Sequence, residues 1–336
     1  MLQFEFILPL QIIFGCGKSL LLPEKVKELG GERTLIVTSQ GMTKREKVKD
    51  IFEVLDKEGL AFDIYSQIPP DPYLKDAQVC LDTAKKQGAD LIVGIGGGSV
   101  LDTAKKVATD MGIPKIMLST TSGSGSEVTH ESVLKVEGKK KALVHKELTP
   151  DIAIVDPELS MSMPPRLAAA TAMDALAHAI ECYESKRSHL LVKTLAFEAF
   201  NLLKDNSRKA TEGDRQARIN MSLGSLIAGM AFGNSGTALG HALSYPPTNR
   251  GVPHGEAVAM VLPQALEFNQ ADPALVKETT GIVKKAELKW RASWDIKEMT
   301  EEVMTDERHL ANNPHPVTYD DVLRIFEKVR TVLGEM

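Results

Sequence analysis

Asp174 and His178 stand four residues apart in a stretch of strong helical character, so a helix would present both from one face, at a separation suited to sharing a cation. Two more imidazoles follow, His241 and His254, the second within Pro253-His254-Gly255 at the start of another predicted helix. One carboxylate with three nitrogens suits Fe(II) or Zn(II) rather than Mg(II) or Ca(II), which take oxygen ligands. Taken singly, each histidine is as well explained as a core or surface residue, and spacing alone leaves the metal open. His130, His145, His189, His309 and His315 lack such framing and are assigned surface or local hydrogen-bonding roles.

A second chemistry is suggested upstream. Ala89 to Ile95 has the apolar content of a strand and runs into Gly96-Gly97-Gly98-Ser99, where Ser99-x-x-Asp102 has the form of a capping box. Glycines let backbone approach a pyrophosphate, and the N–H groups and dipole of a helix start favour its charge. An ordinary tight turn explains the same residues, because the spacing is not G-x-G-x-x-G. The hydroxyl-rich loop Thr120 to Glu127 follows a predicted strand, Lys115 to Leu118, and by itself reads equally as a solvated linker.

These residues need two kinds of scaffold. The first half alternates short β-rich runs (Thr34 to Thr38, Ala89 to Ile95) with charged amphipathic helices, which predicts a parallel sheet covered by helices. Glu137 to Lys146 reads as a hairpin or loop before a strand at Ile152 to Val155. Two prolines near Met161 to Pro165 mark a break, after which Ala-, Leu- and Met-rich helical periodicity takes over. The expected organisation is an α/β nucleotide-binding domain over residues 1–160 and an all-α metal-binding domain over 161–336. Within the latter, the small residues of Ser222 to Gly233 suit a helix packed closely on its neighbours.

Composition narrows the partners. Among 336 residues, 43% are hydrophobic and 25% charged, which suits cores rather than disorder. A net charge of -5, with lysines interleaved among acids, leaves no footprint for nucleic acid. No apolar run is long enough for a membrane span, and Met1 to Phe14 lacks the basic leader and cleavage pattern of a signal peptide. Cys16, Cys80 and Cys182 are odd in number and widely spaced, which argues for a reducing compartment and a cytoplasmic location.

Jointly, Gly96-Gly-Gly-Ser-x-x-Asp102-x-Ala-Lys105, Thr120-Thr-x-Gly-Ser-Gly-Ser-Glu127, Asp174-Ala-Leu-Ala-His178-Ala-x-Glu181 and Gly240-His241 to Pro253-His254-Gly255 resemble the iron-containing alcohol dehydrogenases. The resemblance runs from Ile13-Phe14-Gly15 through Asp156-Pro157-Glu158-Leu159 to Asn313-Pro314, nearly the whole chain. It implies a Rossmann-like domain and a helical domain of dehydroquinate-synthase-like architecture, with NAD(P) and the metal in the cleft between them. By the same matching, Asp174, His178, His241 and His254 are the metal ligands, for iron(II) with zinc(II) as the alternative. Gly96, Gly97, Gly98, Ser99 and Asp102 would hold the pyrophosphate, and Thr120, Thr121, Ser124, Thr129 and Lys141 would lie along the cofactor.

The implied reaction is hydride transfer between NAD(P)(H) and a small alcohol or aldehyde, by a homodimer or larger homo-oligomer. His241-Ala-Leu-Ser-Tyr-Pro resembles a branch containing phosphonoacetaldehyde reductases and hydroxyethylphosphonate dehydrogenases, which act on an anionic aldehyde. The connection from Lys106 to Lys115 and the region after Glu278 are shorter than the family usually shows. Tyr245 stands where many members carry a further histidine, either relaying a proton or walling the pocket. Ser39, at the end of a predicted strand where an acid would repel a 2′-phosphate, permits NADP. Two other functions fit the architecture: a glycerol-dehydrogenase-like or dehydroquinate-synthase-like enzyme using zinc and NAD, and a catalytically silent nucleotide-binding protein.

Overall fold

The computed structural model describes residues 3–285 and 288–334. Its strands are β1 (Gln11–Phe14), β2 (Arg33–Val37), β3 (Ala61–Tyr65), β4 (Leu91–Gly96), β5 (Lys115–Ser119), β6 (Glu131–Val136), β7 (Lys139–Val144) and β8 (Ile152–Val155). Six of them form one sheet in the order β1-β8-β5-β4-β2-β3, and every neighbouring pair is parallel. The run Leu35-Ile36-Val37 shows why: Ile36 enters one core while Leu35 and Val37 enter the other. A strand buried on both faces has no polar side to alternate with, hence its unbroken apolar sequence.

Helices α1 (Leu22–Glu28) and α2 (Glu46–Lys57) cover one face of the sheet through Leu22, Val26, Val48, Ile51 and Leu55. Helices α3 (Leu74–Gln87) and α4 (Gly98–Met111) cover the other through Cys80, Leu81, Ala84, Leu101 and Val107. The polar stretch Glu137 to Lys146 holds the turn and second strand of an antiparallel hairpin, β6–β7, whose two turn residues Glu137 (φ 52°) and Gly138 (φ 81°) have the positive φ of a type I′ turn.

After β8 no further strand is assigned among the described residues, and α-helices take over: α5 (Pro165–Glu184), α6 (Leu190–Thr211), α7 (Arg215–Ser235), α8 (Leu239–Asn249), α9 (His254–Phe268), α10 (Pro273–Lys285), α11 (Ile296–Met304), α12 (Glu307–Asn312) and α13 (Tyr319–Leu333). Their shared core joins Met173 and Leu176 of α5 to Leu243 of α8, Val258 and Leu262 of α9, and Trp290, Met299 and Phe326. The small-residue segment Ser222 to Gly233 lies inside α7, with Gly229 packed on the Gly125 backbone. Part of the stretch after Glu278, expected to be short, falls outside the described residues.

One local expectation fails. The Ser99-x-x-Asp102 capping box does not form, because α4 begins at Gly98 with Gly97 at its N-cap and no side chain capping it. Ser99 Oγ instead accepts a hydrogen bond from Asp71 N (3.1 Å), and the Asp102 carboxylate is taken by Lys105 (3.1 Å), Ser126 Oγ and Val133 N (3.0 Å). The pattern was met, but Asp102 found stronger partners than the helix start.

Candidate metal and nucleotide site

Helical periodicity puts Asp174, His178 and Glu181 of α5 on one buried face. Across from them, α8 supplies His241 and α9 begins at His254, with Pro253 as its N-cap. Asp174 Oδ1 is the common neighbour: His241 Nε2 and His254 Nε2 each lie 3.7 Å away, and His178 Nε2 lies 4.0 Å away. Ligand atoms of Asp174, His241 and His254 all fall within 4.8 Å of one another, and His178 joins them through Asp174. Asp174 Oδ1 and His241 Nε2 are buried with no hydrogen-bond partner, a costly arrangement that a shared cation would relieve.

Two of the three remaining ring nitrogens are fixed by the protein. His178 Nδ1 donates to the backbone oxygen of Gly123 (3.1 Å), and His241 Nδ1 donates to the Glu181 carboxylate, which also accepts from Gly240 N and Ala238 N (3.2 Å). Burial pushes the Asp174 carboxyl up to about 6 and holds His178 and His254 well below the ordinary imidazole value. Burial also pulls His241 down, but the Glu181 carboxylate, together with Asp174 and Glu131, outweighs it and the net shift is upward. The donor set is therefore three imidazoles and one carboxylate gathered in a largely buried pocket, which fits Fe(II) or Zn(II).

The glycine turn and the hydroxyl loop meet. A Cβ on Gly97 would stand 3.1 Å from Thr121 Cγ2, and one on Gly98 would stand 3.1 Å from Ser124 Cβ, so a side chain at either position would crowd the facing loop. With no side-chain cap on α4, its first N–H groups are left for an anion. Gly96 ends β4 beneath them, and Thr120 is buried with Oγ1 unbonded. Asp102 and Thr129 face Lys105 instead. Ser39 follows β2, half-buried, bridged to Gln67.

Lys141 is not brought to this region. Strand alternation turns it outward, and its neighbour Lys140 faces in, paired with Asp71 (2.8 Å) and acting electrostatically on Asp174 and His254. Three consecutive lysines, 139–141, gave the sequence no way to choose among them without the register. His309, assigned a surface or local hydrogen-bonding role, is buried on α12 and makes such a local bond, Nδ1 to Asp306 (2.7 Å). Its ring meets Tyr245 edge-on (5.5 Å between centroids) and lies parallel to His241 (6.3 Å). No periodicity or spacing ties His309 to α8, so no sequence signal pointed there. His189 is likewise sheltered, stacked on Phe4 (4.4 Å) with both ring nitrogens unbonded.

Comparison with known proteins agrees with this geometry. The profile of the iron-containing alcohol dehydrogenases matches residues 9–157, and that of the C-terminal part of the Fe-containing alcohol dehydrogenase family matches residues 168–292. The chain is 39% identical to a long-chain-alcohol dehydrogenase of Geobacillus thermodenitrificans, over 74% of this chain and 69% of that protein. Its fold is similar to an iron-containing alcohol dehydrogenase of Thermotoga maritima (TM-score 0.87, 30% identity, 98% of this chain and 100% of the other). It is also similar to a sulfoacetaldehyde reductase of Bifidobacterium kashiwanohense in complex with NAD+ (TM-score 0.90, 25% identity, 98% and 100%). By motif order, fold and the gathered ligand set, the chain belongs to the iron-containing alcohol dehydrogenase family.

Proposed function

We propose that the four-residue cluster around Asp174 is the metal centre of a nicotinamide-dependent alcohol dehydrogenase, and that the open start of α4 is where the nucleotide pyrophosphate rests. The observation that carries this reading is the buried, unpartnered pair Asp174 Oδ1 and His241 Nε2 facing two further imidazoles. A silent nucleotide-binding protein has no use for such a cluster, and an iron-type reductase does. Residues 1–160 would then be the nucleotide-binding domain and 161–336 the metal-binding one.

When bound, the metal supplies charge stabilisation at the substrate oxygen worth several kcal/mol, and the nicotinamide supplies or takes the hydride. The chain does the positioning. Gly97, Gly98 and Ser99 offer backbone donors to the pyrophosphate, Thr120, Thr121 and Ser124 line its path, and Phe232 stacks on His178 (4.1 Å) to shield the ligand set from water. Metal analysis together with NAD(P)H oxidation over a panel of short aldehydes tests the reading. Protein that holds no metal and oxidises neither nucleotide would end it.

Ser39 supports NADP(H) as a cofactor beside NAD(H), since it brings no charge against a 2′-phosphate. NADPH should be used at least as well as NADH. Ser39→Asp should move the kcat/KM ratio toward NADH by about tenfold or more, a factor that needs only about 1.4 kcal/mol of repulsion. Equal ratios before and after the substitution count against this assignment.

Tyr245 fits the wall reading better than the relay. Burial raises its phenol far above an ordinary tyrosine, and the ring is wedged between His254 (6.1 Å) and His309. Tyr245→Phe should therefore leave single-turnover hydride transfer within the same order of magnitude, and Tyr245→Ala should change which aldehydes fit. Loss of a proton relay would instead cost about a hundredfold or more in the Phe variant.

Among the described residues no helix is long and apolar enough to cross a membrane. A cytoplasmic, homo-oligomeric enzyme is part of the same proposal, supported by three free cysteines and by exposed apolar side chains such as Phe4, Leu190 and Phe197. Sedimentation of the purified protein measures the assembly state.

A further inference from the structure

Glu181 lies one turn beyond His178 on α5, buried and outside the ligand set, yet it holds three N–H donors at once. Oε1 accepts from Gly240 N, and Oε2 accepts from Ala238 N and His241 Nδ1. The three donors belong to the start of α8: Ala238 is its N-cap, and Gly240 and His241 are its second and third residues. The carboxylate thus caps the helix, where a negative charge is favoured, and grips the ligand that the helix carries. The fit leaves no room at position 240, since a Cβ there would stand 2.6 Å from Glu181 Oε1.

A carboxylate can only accept hydrogen bonds, so the His241 nitrogen facing it must carry the hydrogen. In the neutral ring the lone pair is then left on Nε2, the atom 3.7 Å from Asp174 Oδ1. Resting on the reading of this cluster as a metal centre, we propose that Glu181 is the positioning residue that sets the tautomer of His241 and so makes Nε2 a ligand. The other two imidazoles have no such carboxylate: His178 Nδ1 is held by the Gly123 carbonyl, and His254 Nδ1 is unbonded.

Glu181→Gln separates this role from simple packing, because it keeps shape and ligands but offers one oxygen to three N–H groups. If the amide oxygen serves His241 and Ala238, the NH2 group meets Gly240 N–H head-on at the tightest contact of the three. If the oxygen serves Gly240, the repulsion falls on the longer Ala238 contact (3.2 Å) and the NH2 group can donate to His241 Nδ1. The second arrangement is the milder, and it moves the ring hydrogen to Nε2, where it blocks ligation.

Metal-free protein labelled with 15N-histidine, observed at alkaline pH where the ring is neutral, should show His241 as the Nδ1–H tautomer in the wild type and as Nε2–H in Glu181→Gln. Cobalt(II) titration of the same samples, followed by its visible absorption, should show affinity about 10- to 100-fold weaker in the variant. Nucleotide binding serves as the folding control. A wild-type ring protonated at Nε2, or a folded Glu181→Gln protein that keeps its tautomer and its cobalt affinity, overturns the proposal. If the variant does not fold, the wild-type tautomer alone decides. Wild-type protein that takes no cobalt at all would count against the metal centre itself, a separate failure.

Discussion

Replacing His254 with alanine is expected to lower kcat/KM by about a thousandfold or more while leaving the protein folded, because several kcal/mol of metal-derived stabilisation correspond to that factor. Of the four candidate ligands, His254 is the one whose removal disturbs least. It stands at the first position of α9, its side chain is 26% exposed, and its Nδ1 makes no hydrogen bond. Asp174, His178 and His241 are buried deeper and would leave holes or orphaned partners. Truncation at 254 opens one corner of the coordination shell and leaves Gly96 to Ser99 untouched. Metal content after dialysis should fall, and thermal unfolding of the metal-free variant and its nucleotide affinity should match those of metal-free wild type. Undiminished metal and turnover would remove His254 from the ligand set.

The second large effect concerns stability. Lys105 is fully buried, and its ammonium is paired with Asp102 (3.1 Å) and donates to Ser126 O (2.8 Å), Thr129 Oγ1 (3.3 Å) and the Glu131 carbonyl. It pins together α4, the hydroxyl loop and the start of β6. Lys105→Met should destabilise the protein by about 3–5 kcal/mol, the usual result of stranding one member of a buried ion pair. Asp102 would lose its cation, and the backbone oxygens of Ser126, Thr129 and Glu131 would lose a donor. Glu127, whose carboxyl burial already pushes up to about 7, would lose a charge that lowers it. Combining Lys105→Met with Asp102→Asn should cost less than the sum of the two, since the second change removes the stranded charge. Additive losses in denaturant titrations would show that the pair is not the origin of the effect.

The sequence carried the scaffold well because burial on both sheet faces writes itself into runs such as Leu35-Ile36-Val37, and helical burial into the spacing of Asp174, His178 and Glu181. What it could not carry were choices made by tertiary partners. Lys105 stood in plain view within the glycine-loop motif, yet nothing local says that an ammonium three residues beyond Asp102 turns inward and takes the carboxylate from the helix cap. Lys140 and Lys141 differ only by the side of β7 on which each falls. His309 reaches Tyr245 from a six-residue helix more than sixty positions away, a meeting fixed by packing rather than by pattern.

The bond from His178 Nδ1 to Gly123 O has a consequence for how the enzyme assembles. Gly123 sits between Thr121 and Ser124, which press on the glycine turn, so in the proposed reading nucleotide and metal ion would lean on one short segment. Two occupants that bias the same element cannot be thermodynamically indifferent to each other. Whatever factor the nucleotide contributes to metal retention, the metal must return as an equal factor in nucleotide affinity. Dissociation constants measured with one partner missing therefore describe a half-assembled protein, and only the closed cycle of four gives the affinities of the working one.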